Sequence, residues 1–289
     1  MIPVSQGIYR LFDPGEWVSL DSSDGFDAWA EEYGRLPATN PIFRLTKELL
    51  YRLVLEEICP RLKKQALPWR MLDFNCGPGN DFPFFLEQGF QVVGCDGSPG
   101  MLRVAWKKFS QACQDKRVML YLGRAERLQP NSFDGQTFDL IFSTTGGFSY
   151  LDDEAFVRAH QVLYRMLTAG GVLLTAHLAP VCLSETVYYL FKGHPRLAFR
   201  RWSGTLTVNI RGRQQRMWLR SPARVKKLLR GLPRRLMVRP VLCWTPPFQT
   251  GYRATGVRLP IHRALEYRSL RIPGLAFVAD QVACLVFKR

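Results

Sequence analysis

A doubly wound α/β fold, a mostly parallel seven-stranded sheet with helices on both faces, is what this 289-residue sequence predicts. Three observations carry that expectation. Short apolar runs suited to buried strands recur at Met71–Phe74, Gln91–Cys95, Val118–Leu122, Phe138–Phe142 and Val172–His177. Segments of helical spacing separate them, the alternation that builds parallel sheets. The first run opens straight onto a glycine turn, Asn75-Cys76-Gly77-Pro78-Gly79, and a helix start near Asp81. Glycines there let the backbone pass close to a ligand, and a helix N-terminus offers free N–H groups and a positive dipole end.

Taken in order, Phe26–Arg35 places Phe26, Trp29, Ala30 and Tyr33 on one helical stripe. A second amphipathic helix spans Pro41–Arg61, and Pro68 precedes the first strand. The second strand ends on Asp96, 17 residues beyond Gly79. Dinucleotide folds place a ribose-binding acid at about that offset. Ser98 then suits an N-cap and Pro99 the first helical position, with the helix running from Met101 to Cys113. The turn is neither G-x-G-x-x-G, since Asn75 stands at the first glycine, nor a phosphate loop, since no Gly-Lys-Ser/Thr follows.

Asp73, Cys76, Gly77 and Gly79 form an acid followed by a G-x-G turn that resembles the first motif of the class I S-adenosylmethionine-dependent methyltransferases. Asp96-Gly97-Ser98-Pro99-Gly100-Met101-Leu102 resembles their second motif. The likeness covers Gly25 to His177 well and the rest loosely. It implies a Rossmann-like sheet, S-adenosyl-L-methionine as cofactor and methyl transfer to a small-molecule acceptor through O- or N-methylation. By position, cofactor contacts would fall on Tyr33, Asp73, Asn75, Cys76, Gly77, Gly79, Asp96, Gly97, Met101, Ala125, Glu126, Ser143 and Thr144. Trp29 and Tyr33 would equally serve simply to dock the first helix on the core. Where the family commonly has Gly-Asp-Ala-Glu this chain reads Gly123-Arg124-Ala125-Glu126, so Arg124 replaces the acid that faces adenine.

Ligands bind outside the carboxyl ends of parallel strands, so the exit of the fourth strand, Ser143 to Tyr150, should face the site, with Phe148 and Tyr150 lining the acceptor pocket. A helix over Asp153–Leu167 is expected to stop at Ala169-Gly170-Gly171. His177, closing the fifth strand, is the candidate general base, with a structural histidine as the alternative. His160, on a helix, and His194 and His262, in loops, rank behind it. Thr205–Ile210 and Gln215–Leu219, joined by Arg211–Gln214, read as a hairpin, and Ser221-Pro222 starts a basic helix ending near Gly231. Leu236–Trp244 and Gln281–Lys288 read as a final antiparallel pair. Trp244-Thr245-Pro246-Pro247-Phe248 superficially resembles a nucleic-acid amino-methyltransferase motif, but it lies too late and begins without an amide or carboxylate. The expected organisation is one domain: a helical cover over 1–66, a cofactor core over 69–180, a lid and acceptor insertion over 181–220, and closing helix and strands over 221–289.

The net charge of +16 is unevenly placed, because Thr186 to Leu265 holds 18 Lys and Arg and no acid. Such a face attracts an anionic partner, a carrier protein or a lipid headgroup. The excess of 30 Arg over 10 Lys also fits a coding bias. The charges are spread over a hairpin, a helix and loops, which argues against nucleic acid as acceptor. An RNA methyltransferase and a non-catalytic cofactor-binding protein remain the alternatives, the latter motivated by Asn75 and Arg124. No run of 18 apolar residues is present, so no transmembrane segment is expected. Seven scattered cysteines form no C-x-x-C and no zinc spacing, so the chain reads as a cytoplasmic protein with reduced thiols and no metal.

Overall fold

The computed structural model describes residues 3–5, 8–11, 25–63, 67–232, 234–254 and 257–288. Its strands are β1 (Pro3–Ser5), β2 (Ile8–Arg10), β3 (Trp69–Phe74), β4 (Phe90–Asp96), β5 (Val118–Leu122), β6 (Phe138–Ser143), β7 (Leu167–Leu178), β8 (Thr205–Ile210), β9 (Arg213–Trp218), β10 (Arg234–Val241) and β11 (Gln281–Lys288). The main helices are α1 (Phe26–Thr39), α2 (Pro41–Leu53), α3 (Cys59–Leu62), α4 (Phe82–Glu87), α5 (Pro99–Lys108), α6 (Ser110–Gln114), α7 (Asp153–Arg165), α8 (Leu183–Phe191), α9 (Pro195–Ala198), α10 (Pro222–Leu228) and α11 (Arg258–Ser269).

β3 lies at the middle of the sheet, pairing in parallel with β4 on one side and β6 on the other. Both its faces are covered, which is why its residues form an apolar run instead of alternating with polar ones. The full order is β1-β2-β5-β4-β3-β6-β7-β11-β10, with β11 antiparallel to both β7 and β10. Nine strands thus replace the expected seven among the described residues. The two additions are three-residue strands, too short to show a period, and β2 joins β5 in parallel with Tyr9 packed 5.5 Å from Tyr121.

Alternation along each strand sends side chains into two cores. Met71, Val92, Leu120, Leu140 and Leu174 share one core with Ile42, Leu45, Leu49 and Leu53 of α2 and Phe82 and Phe85 of α4. Leu72, Val93, Tyr121, Ile141 and Leu173 share the other with Phe156 and Leu163 of α7 and Val225 of α10. α2 starts where Asn40 accepts from the amides of Ile42 and Phe43, with Pro41 at the first position. It continues through a π turn at Val54–Ile58 into α3, so the expected single helix is present with an irregular middle. α5 starts as expected, Ser98 accepting from Met101 N at 3.1 Å.

Several boundaries differ from expectation, β10 among them, which ends at Val241 instead of Trp244. The helix expected over Met101–Cys113 is broken at Phe109, which leaves helical geometry between α5 and α6. α7 ends at Arg165, ahead of the glycines. Gly170 (φ 77°) instead lies in an irregularity of β7, where its pairing with β6 shifts register between Phe138 and Leu140. The hairpin turn is also tighter than expected, two residues with Arg211 at φ 49° and Gly212 at φ 88°, the twist-matched kind. Among the described residues no helix is long and apolar enough to cross a membrane.

Candidate active site

The site is built at the carboxyl ends of β3, β4 and β6. Beyond β3 the chain turns through Asn75 (φ 62°) and Gly77 (φ 55°). Asparagine tolerates the left-handed region better than most residues, and its side chain is used here: Nδ2 donates to Ser143 Oγ at 3.3 Å, joining β3 to the end of β6. Gly77 N donates to Asp96 Oδ2 at 2.8 Å, and Ser98 N donates to Asp96 Oδ1 at 2.8 Å. Asp96 is therefore held by two backbone amides beside the turn.

α1 is seated on the same place. Asp27 accepts from Ser98 Oγ and, at 2.7 Å, from Gly100 N, a carboxylate against the positive end of α5. A side chain at Gly100 would overlap Asp27 Cα, 2.7 Å away. At its C-terminal half α1 receives Asn80 Nδ2 on Tyr33 O at 3.1 Å. The cover helix is thus fixed to both motifs.

Between these elements and the hairpin lies a cavity of about 710 Å³. Gly77, Asp96, Gly97, Met101, Ala125 and Thr144 line one end, with Phe26, Trp29 and Tyr33 beside them. Leu206, Val208, Ile210 and Met217 of the hairpin, with Leu178, Arg201 and Gln281, line the other. The first end fits a nucleoside-bearing cofactor. Gly77 leaves its space open, since a Cβ there would reach only to 3.6 Å from Tyr33 and 3.9 Å from the Met101 sulfur. Asp96 brings a carboxylate to the same wall, and Met101 an apolar flank. Arg124 also lines the cavity and folds over Gly97, where a Cβ would meet its Cγ at 2.9 Å.

Of the residues selected from sequence, Tyr33, Asn75, Gly77, Asp96, Gly97, Met101, Ala125, Glu126, Thr144 and Tyr150 lie on the cavity wall. Six do not. Asp73 is buried behind the turn, where burial and nearby Asp81 push its carboxyl well above the usual carboxylate range, against the pull of Lys47. Cys76 is buried too, its sulfur beside Gly94. Gly79 (φ 72°) faces the core: a Cβ would lie 2.7 Å from the Phe82 ring, so glycine serves packing there. Ser143 is buried as the partner of Asn75. Phe148 is fully buried, packed on Phe156 and His160 at 5.9 and 4.7 Å, and not in an acceptor pocket.

His177 is the sixth. Its ring is fully buried, 5.4 Å from that of Phe156, with Nε2 3.8 Å from Cys284 Sγ. Strand alternation turns His177 toward α7 and gives the cavity wall to Leu178. Burial holds its pKa well below the usual histidine value. It is a core residue, unable to reach an acceptor. His160 is likewise buried, Nδ1–H donating to Phe156 O at 2.8 Å and Nε2 accepting from Thr175 Oγ1 at 3.2 Å. His194 caps α9 at an exposed position, and His262 lies on α11 beside Thr245 and Tyr252, not in a loop.

The two buried histidines give a pH expectation. Burial lowers the His160 pKa from 6.5 to about 4. The unfolded chain then binds more protons than the folded one between these values, so this contribution is complete above pH 6.5 and lost as the pH falls toward 4. We expect acidification across that window to remove about 3 kcal/mol through His160. Denaturant titrations of wild type and His160→Gln would show it: the wild type should lose more stability than the variant between the two pH values, and parallel losses would refute the assignment.

Two polar groupings had no sequence signal beyond Asp81 itself. Lys47 Nζ lies 2.7 Å from Asp81 Oδ2 and 3.1 Å from Thr144 Oγ1, and Tyr51 OH donates to Asp81 Oδ1 at 2.7 Å. This network ties α2 to the glycine turn and the exit of β6. At the other end, Arg201 bridges Glu185 (2.5 Å) and Asp280 (2.9 Å), while Arg200 also holds Glu185 at 2.7 Å. Cys182, Glu185 and Asp280 converge closely enough to hold a metal ion, but the Arg201 guanidinium already supplies the cation to both carboxylates. Gln281, on the cavity wall, donates Nε2–H to Asp280 Oδ2 at 3.2 Å, and its buried Oε1 has no hydrogen-bond partner among the described residues.

Residues 71–171 match the family model described as a methyltransferase domain. The chain is 32% identical over 106 residues to the putative methyltransferase YqeM of Bacillus subtilis (strain 168), covering 36% of this chain and 40% of that protein. It is 29% identical over 119 residues to human glycine N-methyltransferase, covering 37% and 40% respectively. The matches therefore span well under half of these curated relatives. Across nearly its whole length the fold is similar to the CcbJ methyltransferase from Streptomyces caelestis, with a TM-score of 0.59, 15% identity, and coverage of 93% of this chain and 100% of that one.

Proposed function

We propose that this chain, whose residues 71–171 match a methyltransferase-domain model, is a class I S-adenosylmethionine-dependent methyltransferase that transfers a methyl group from S-adenosyl-L-methionine to a small-molecule acceptor. The observation that carries this reading is the single cavity running from Gly77 and Asp96 to the hairpin. Cofactor and acceptor would share one space, with α1 on one side and β8–β9 on the other.

When bound, the cofactor supplies an electrophilic methyl group on a sulfonium. The chain's part is to hold both reactants. Asp96, held by the amides of Gly77 and Ser98, is the carboxylate on the cavity wall that would receive the ribose hydroxyls. Tyr33 would border the methionine end of the cofactor, and the bare backbone of Gly77 would allow its close approach. The acceptor would lie against the apolar side chains of Leu178, Leu206 and Met217, with Gln281 on the same wall. The described lining residues include no histidine. Proximity, alignment and exclusion of water then carry the rate. The roofed cavity favours a small molecule over RNA, and the seven free thiols suit a reducing cytoplasm.

Titration calorimetry tests the reading. The chain should bind S-adenosylmethionine or its demethylated product and not NAD. Asp96→Ala should weaken cofactor binding by about 1.5–3 kcal/mol, the range for a hydrogen bond to a charged group. Gln281→Leu should leave that affinity unchanged and raise KM for the acceptor. Binding of NAD without either sulfur compound would overturn the assignment.

A further inference from the structure

α8 is mounted with its apolar stripe outward. Leu183, Val187, Leu190 and Phe191 are 44, 41, 47 and 89% exposed, while Glu185, Thr186 and Tyr189 on the other side are buried. The spacing i, i+4, i+7, i+8 is that of one helix face, so these are not scattered surface residues. α11 carries the exposed pair Ile261 and Leu265, 59 and 41%. The two helices are joined through Thr245, whose carbonyl accepts from Ser184 Oγ at 3.2 Å and whose hydroxyl meets His262 Nδ1 at 3.1 Å. Trp244, 44% exposed, stands next to that joint.

Between α8 and α11 the chain carries charge of one sign, although Glu48 of α2 pairs with Arg263 on α11. No acidic residue occurs from Thr186 to Leu265. Lys192 and Arg196 are exposed just past the C-terminus of α8, and Arg258 and Arg268 are exposed near the two ends of α11. A second copy of the chain would set like charges against each other across such a face, which costs affinity. An anionic bilayer satisfies both features at once. Apolar side chains enter the acyl boundary, Lys and Arg remain among the headgroups, and tryptophan is favoured at the junction.

We propose that α8 and α11, with Trp244 between them, dock this protein peripherally on an anionic lipid surface. The inference rests on exposure and charge and is independent of the methyl-transfer reading. The test is co-sedimentation of the full chain with sucrose-loaded vesicles of phosphatidylcholine, alone or mixed with phosphatidylglycerol. We expect partition into the mixed vesicles, weakened by added salt, and little into the neutral ones. Replacing Leu190 and Phe191 together with Asp should lower partition by roughly tenfold or more. Both side chains are exposed, so the melting temperature should stay unchanged. Lys192→Glu combined with Arg196→Glu should weaken binding to the mixed vesicles by a further independent route. Absence of partition, equal partition of the Asp variant, or a concentration-dependent dimer that the Asp variant dissolves would each overturn the proposal.

Discussion

Lys47→Met is expected to destabilise the fold by about 3–5 kcal/mol, the scale for breaking a buried ion pair from one side. The lysine is 5% exposed and its ammonium lies between Asp81 and Thr144. Methionine matches its length but leaves Asp81 buried without its cation, and removes the lysine that offsets the upward push on the Asp73 carboxyl. At roughly 2–4 °C per kcal/mol for a chain of this order, the melting temperature should fall by about 10 °C. Pairing Lys47→Met with Asp81→Leu removes both charges and should restore much of the loss. An unchanged melting temperature in the single variant would show that the pair is not stabilising. The same network reaches the glycine turn, so cofactor affinity should drop in the single variant as well.

Excising β8 and β9 should lower turnover at least roughly a hundredfold, the cost of imperfect positioning, while changing cofactor affinity much less. The geometry permits a clean deletion, because Leu219 N donates to Gly204 O at 2.9 Å and the strands leave from adjacent points. A short glycine bridge across that gap removes Leu206, Val208, Ile210 and Met217 from the cavity and keeps Arg220. That arginine must stay: it is 1% exposed, donates to Asp153 and to the carbonyl of Leu151, and lies 4.3 Å over the Phe156 ring. Comparable losses of affinity and turnover would make the hairpin a support for the core instead of an acceptor wall.

The central strands were legible because both faces of a parallel sheet are covered, so each strand appears as an apolar run. Ser98-Pro99 and Ser221-Pro222 were legible because capping is local chemistry. α8 and α11 were not. α8 turns its stripe outward, so its period reports no core, and α11 buries Glu266 while exposing Ile261. That glutamate accepts from the amides of Cys243, Trp244 and Thr245, holding the Trp-Thr-Pro-Pro turn in place. Its role depends on a segment some twenty residues away, which no local pattern records.

The candidate site divides in the same way. Asp96, Gly77 and Met101 belong to contiguous motifs and could be read directly. His177 was placed correctly at a strand end, but a single step of alternation separates it from the wall, and the sequence run Thr-Ala-His-Leu does not show which member turns inward. Arg201, Asp280 and Gln281 meet only through the pairing of β11 with β7.

The inward burial of His160 and His177 also changes what a kinetic experiment on this protein would report. Both imidazoles are held neutral in the core, and the described residues of the cavity wall include no histidine to act as a base near neutrality. A pH–rate profile with a midpoint in that region would then belong to the acceptor. Its position would separate an acidic enol from an aliphatic amine or a phenol, both of which ionise at pH ~10, so the profile becomes a way of narrowing the substrate from the enzyme's silence.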